Sequence, residues 1–103
     1  MTADLPPFLD RIKAETRAAR DRLAGELFAL DAVRAAVGAA ANKGQTMAPI
    51  RPPYPVDLRD TDAAQAAVNH LKDSGLKVAW EGYREEWEGR QTDGWELQIV
   101  WVF

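Results

Sequence analysis

Few residues in this chain have the types and spacing that chemistry requires. His70 is the single histidine. As a general base it would need a nucleophile and an orienting carboxylate within hydrogen-bond reach. No such partner stands near it in sequence, and a place on a helix surface or at the edge of a core suits it better. With no cysteine in the chain, thiolate nucleophiles, disulfides and sulfur-ligated metal sites drop out together, and one histidine leaves an imidazole site without a second ligand. Glu85, Glu86 and Glu88 are dense enough to suggest paired carboxylates. Neighbours on a strand point to opposite faces, however, and a projecting tip lacks the burial that raises a catalytic acid's pKa. Neither G-x-G-x-x-G nor a lysine-bearing phosphate loop is present. The residues predict no catalytic site, metal or cofactor, and the chain is expected not to be an enzyme.

What remains is binding chemistry. Tyr83, Arg84, Glu85, Glu86, Trp87, Glu88 and Arg90 are packed into one short stretch. Tryptophan, tyrosine and arginine are the usual anchors of docking surfaces, and the acids would steer a partner with a basic surface. The competing reading is that Trp87 stacks on Arg90 and the charges keep a hairpin tip soluble. A second candidate surface is the basic row Lys13, Arg17 and Arg20, which falls on one helix face; Asp10, Glu15 and Asp21 lie close enough to pair with it.

The elements that must position these residues are legible in the alternation of the last stretch. Leu76, Val78 and Trp80 alternate in one run, and Trp95, Leu97, Ile99, Trp101 and Phe103 in the next, which is strand periodicity. Glu88-Gly89 and Asp93-Gly94 could each turn the chain, and each fixes its own register. The Glu88-Gly89 turn sets Trp80 opposite Leu97, Val78 opposite Ile99 and Arg84 opposite Asp93, and it lays Trp95 across the bare backbone of Gly82. Its flaw is Glu81 facing Glu96. Asp93-Gly94 is the better turn dipeptide but leaves Leu76, Val78 and Trp80 unpaired, so the Glu88-Gly89 register is expected. Two strands alone are marginal. A third strand, from this chain's connector or from another molecule, would cover the exposed edge of Ile99 to Phe103.

Upstream, Phe8, Ile12, Ala19, Leu23, Leu27, Leu30, Val33 and Val37 recur at steps of three or four, the apolar stripe of a long helix. Pro6 and Pro7 suit its first turn, with Asp4 or Thr2 as cap. Residues 7–41 read as helical, with a kink or split near Leu30-Asp31, where Asp31 has capping chemistry. Unbroken, that rod would be about 50 Å long, so it either bends back or is buried against another chain. Residues 45–59, with Pro49, Pro52, Pro53 and Pro55, read as an extended strap whose Ile50, Tyr54, Val56 and Leu58 pack across the domain. Its Ile50 to Pro55 run only partly matches a ligand for an aromatic-grooved adaptor. Thr61 or Asp60 then caps a short helix with Ala64, Ala67, Val68 and Leu71 on its apolar face, ended by Gly75. The expectation is a single α+β domain over residues 1–103: long helix, strap, and a helix plus antiparallel hairpin over 61–103.

The 103 residues, 47% hydrophobic and 28% charged, have an ordinary globular balance. No secretory signal and no bilayer-spanning run is seen, which makes the cytoplasm the expected location and a membrane an unexpected partner. Net charge is −3, and residues 81–103 carry six acids against two bases. That footprint repels phosphate. A helix followed by a hairpin is also the layout of a recognition helix and wing, but here the helix offers Lys72 as its one lysine or arginine and the wing is acidic, so direct nucleic-acid binding is disfavoured. The sequence therefore favours a small protein–protein interaction protein: an adaptor, inhibitor or assembly subunit. Behind it stand a virus-encoded inhibitor imitating nucleic acid, a virion subunit, a winged-helix-like binder and, last, a small-ligand carrier. A homo-oligomer through the helix or an edge strand is compatible with each.

Overall fold

The computed structural model describes residues 5–102. The expected cap at Asp4 or Thr2, and Phe103, lie outside them. The elements run α1 (Leu5–Leu27), α2 (Leu30–Asn42), β1 (Met47–Ile50), α3 (Asp62–Asp73), β2 (Lys77–Trp87) and β3 (Arg90–Val100). The α+β architecture is the one the periodicities predict, and β1 supplies the third strand from the connector.

The sheet is antiparallel in the order β1-β3-β2, so the strand nearest the C-terminus is central. Trp80 pairs with Leu97, Val78 with Ile99, Gly82 with Trp95 and Arg84 with Asp93, the register of the Glu88-Gly89 turn. Glu88 (φ 50°) and Gly89 (φ 79°) are both left-handed, as a two-residue turn matched to the strand twist requires. On the other side of β3, Ala48 pairs with Ile99 and Ile50 with Leu97. Every sheet residue of the core cluster (Ile50, Val78, Trp80, Leu97 and Ile99) therefore lies on one face, and the helices cover that face. Pro49 is tolerated in β1 because β1 is an edge.

The helical path is split, as expected near Leu30-Asp31, with the break about two residues earlier: α1 ends at Leu27 and α2 begins at Leu30. Ala29 is extended (φ −57°, ψ 140°) and precedes α2, which begins at Leu30. Asp31 is no cap but lies in the first turn of α2, where a negative charge suits the helix dipole. The reason for the shift is Phe28. It is 5% exposed and meets the Trp80 ring edge-on, centroids 5.8 Å apart at 79°, so the chain turns directly after placing it. Thr61 is the cap of α3: its hydroxyl accepts from the Ala64 N–H (3.3 Å) and donates to the Leu58 carbonyl (2.7 Å). After α3, Gly75 (φ 88°) takes the left-handed position. Its N–H bonds the Lys72 carbonyl and that of Leu76 the Leu71 carbonyl, a closure that leads straight into β2.

Two parts stand beyond this core. Every described side chain from Pro7 to Ala18 is exposed, so the first half of α1 is an arm reaching past the domain. At another extremity, the five strand pairs from Tyr83–Gly94 to Trp87–Arg90 include no residue of the core cluster. The molecule measures 63 × 30 × 18 Å.

Candidate docking surface on the hairpin

The alternation of the strands divides the expected site. Tyr83, Glu85, Trp87 and Arg90 share the outer face of the hairpin with Glu81 and Glu96, whereas Arg84 and Glu86 belong to the opposite face and Glu88 to the turn. Arg84 is committed there: its guanidinium donates to Asp93 at 2.7 Å, and that bond holds the Asp93 carboxyl below its usual pKa. Glu85, Glu86 and Glu88 have no ion-pair partner among the described residues.

The strap builds the rest of the surface. From Ile50 it follows the edge of β3, where the Trp95 N–H donates to the Val56 carbonyl (3.3 Å), and it sends side chains to both hairpin faces. On the outer face, Arg51 lies 3.6 Å from the Tyr83 ring centroid and pairs with Glu96 at 3.3 Å. This guanidinium answers the unfavourable meeting of Glu81 and Glu96, and Gln98 adds an amide hydrogen bond to Glu96 (3.3 Å). Tyr54 packs against Trp87, centroids 5.6 Å apart and rings tilted by 35°. Trp87 thus rests on Tyr54 rather than standing alone against Arg90. On the inner face Arg59 lies 3.6 Å over the Trp95 ring, with both oxygens of Asp57 holding its guanidinium at 2.9 Å. Those hydrogen bonds lower the Asp57 pKa. Arg51 returns positive charge to a hairpin that is acidic in sequence, whereas Arg59 is balanced by Asp57 of the strap.

Tyr83 is fixed by what lies beneath it. Its ring covers Gly94, where an added Cβ would come within 2.5 Å of Tyr83 Cζ, and its hydroxyl is buried with no hydrogen-bond partner among the described residues. Burial pushes the phenol above its ordinary value of 10.0, against the opposing pull of Arg51. The folded state therefore keeps this proton to higher pH than the unfolded chain does, so stability falls as pH rises above 10.0. Tyr83→Phe is expected to remove that alkaline loss. At neutral pH it should leave stability unchanged or raise it by about 1 kcal/mol, because a buried hydroxyl without an acceptor is removed. Urea melts of both proteins at neutral and alkaline pH check this, and a clear loss at neutral pH would mean that the hydroxyl is satisfied.

The second candidate row divides as well. Arg20 donates to the Asp57 carbonyl (2.8 Å) and pairs with Asp60, tying α1 to the strap. Lys13 and Arg17 are exposed and form no ion pair with Asp10, Glu15 or Asp21 among the described residues. His70 is exposed on α3, on the helix side of the sheet. Among the described residues no cluster of His, Cys, Asp and Glu could hold a metal ion, and no helix is long and apolar enough to cross a membrane.

Arg51 and Arg59 are surface residues to which the sequence gives no role, and Tyr54, expected only to pack across the domain, packs on Trp87. Their signal was faint: two arginines and a tyrosine in a proline-rich run of unknown register. Comparison with protein-family models, with curated proteins and with solved structures finds no match. The functional argument therefore rests on residues and geometry.

Proposed function

We propose that the chain is a small, non-catalytic protein–protein interaction protein, an adaptor, inhibitor or assembly subunit. It docks through the outer face and tip of the β2–β3 hairpin onto a partner with a basic surface. The observation that carries the reading is Trp87: 42% exposed, beyond the core, and held against Tyr54, itself 37% exposed. A rigid amphipathic aromatic pair is low in entropy cost when it is buried by a partner. Beside it the carboxylates of Glu85, Glu86 and Glu88 supply steering charge. The turn adds support. Folding alone favours Asn-Gly in a turn of this type, and a glutamate at φ 50° carries strain of about 1 kcal/mol, which an acidic docking tip would justify. The groups with acid–base chemistry, His70 and these glutamates, sit on separate surfaces, which favours binding over catalysis.

The test is a comparison of three proteins in affinity pull-down from the source cell: wild type, Trp87→Ala, and the variant with Glu85, Glu86 and Glu88 all changed to glutamine. A partner retained by wild type and lost by both variants is expected, with Trp87→Ala weakening the purified complex about 30-fold, the effect of an anchor of about 2 kcal/mol. Raising salt should weaken it further. Because Trp87 lies outside the core, its variant should melt within a few degrees of wild type. A partner bound equally by all three proteins would remove the hairpin from consideration.

A further inference from the structure

The arm of α1 and the helix layer each leave an apolar feature without an occupant, and the two match. Phe8, Leu9 and Ile12 are 49%, 51% and 40% exposed on the arm, at the spacing of anchors on one helix face. Where α1 ends, it meets α2 and α3 around two adjoining open troughs, each of about 320 Å³. They share Leu30, Val33, His70 and Leu71 and continue along Ala63, Ala66 and Ala67 of α3. The floor is core: Val33 is 2% and Leu71 4% exposed. Alanines on the α3 wall allow a helix backbone to come close.

We infer that this groove receives the α1 arm of a second copy of the chain. An intramolecular fit is ruled out by length, since Gly25 lines the groove and Phe8 lies about 25 Å away along the same uninterrupted helix. The rims also match. On the arm, Glu15 follows Phe8 and Ile12 along one edge of the apolar stripe, with Arg11 outside it and turned over the Phe8 ring at 5.5 Å, and Lys13 borders Leu9 on the other. At the groove, Arg34 lines the α2 side, and on α3 the exposed Asp62 and Asp73 stand one turn outside Ala66 and His70. An arm laid with Glu15 toward Arg34 and Lys13 toward the two aspartates meets opposite charge on both rims. Reciprocal exchange closes as a two-fold dimer that buries both features. This contact uses neither the hairpin nor its partner and is independent of the docking proposed above.

The test is molar mass by light scattering on the purified chain, with two single variants at exposed positions: Ile12→Glu on the arm and Ala66→Arg, whose bulk fills the groove mouth. Leu9→Glu serves as a second arm variant, and circular dichroism confirms that each is folded. Wild type is expected at twice the chain mass of 11.4 kDa at high concentration, and each variant at the chain mass. A mixture of Ile12→Glu with Ala66→Arg should regain dimer, because the arm of the second still fits the groove of the first. A wild type that stays at the chain mass overturns the inference. So does an Ala66→Arg protein that dimerises like wild type, which would mean that arms pair with arms, and so does a mixture that does not associate.

Discussion

Leu97→Ala is expected to destabilise the protein by about 2–5 kcal/mol, measured as a lower urea midpoint with an unchanged slope. Leu97 is 0% exposed on the central strand, flanked by Ile50 of β1 and Trp80 of β2. Truncation removes packing from both strand pairs at once. Ile50 belongs to a strand of four residues that contains a proline, and Trp80 is committed edge-on to Phe28, so neither neighbour is free to fill the space. Small domains hold about 5–15 kcal/mol in all, which makes this a large fraction. Trp101 packs on the same core but is only partly buried, so Trp101→Ala should cost less than a complete tryptophan truncation. A loss below about 1 kcal/mol for Leu97→Ala would show that the two pairings do not depend on one shared side chain.

The register of the hairpin was legible in the sequence because a one-residue slip moves every side chain to the other face, and one register alone kept Leu76, Val78 and Trp80 opposite apolar partners. Trp95 over Gly82 followed from it. The same register places Tyr83 opposite Gly94, a second aromatic–glycine pair that the turn-forming character of Asp93-Gly94 masks in the sequence. Helix existence came from the stripe at steps of three and four, and a split near Leu30-Asp31 was legible too, but its exact position was not. Asp31 has the chemistry of a cap, whereas the chain turns where Phe28 reaches Trp80, a tertiary contact that local propensity does not encode. The strap was the least legible. Its prolines exclude helix but set no register, so nothing in the sequence aims Arg51 at Tyr83, Tyr54 at Trp87 or Arg59 at Trp95. These contacts turn an isolated acidic hairpin into a surface built by two segments, and they explain how β2 and β3 extend past the core without a covering helix.

That construction makes Gly94 the second position of large effect. Gly94→Ala is expected to cost about 1–3 kcal/mol, although φ at this position does not require glycine, since Gly94 is not among the left-handed residues. The penalty is steric. The new methyl would lie 2.5 Å from Tyr83 Cζ and 2.6 Å from its oxygen, and the ring has little room to retreat with Arg51 stacked on it at 3.6 Å. The prediction is therefore a coupling as well as a loss. In a Tyr83→Ala background the three atoms nearest the new methyl are gone, so Gly94→Ala should become nearly neutral there, and the double-mutant cycle should show about 1–3 kcal/mol of interaction. Gly82→Ala is the natural comparison: its methyl would meet the Trp95 indole at 3.3 Å, a contact that a small tilt of the ring relieves, so it should cost less. If Gly94→Ala is equally damaging with Tyr83 removed, the requirement for glycine comes from the backbone of β3. The Tyr83 ring would then not be the element that holds the outer face of the hairpin in shape.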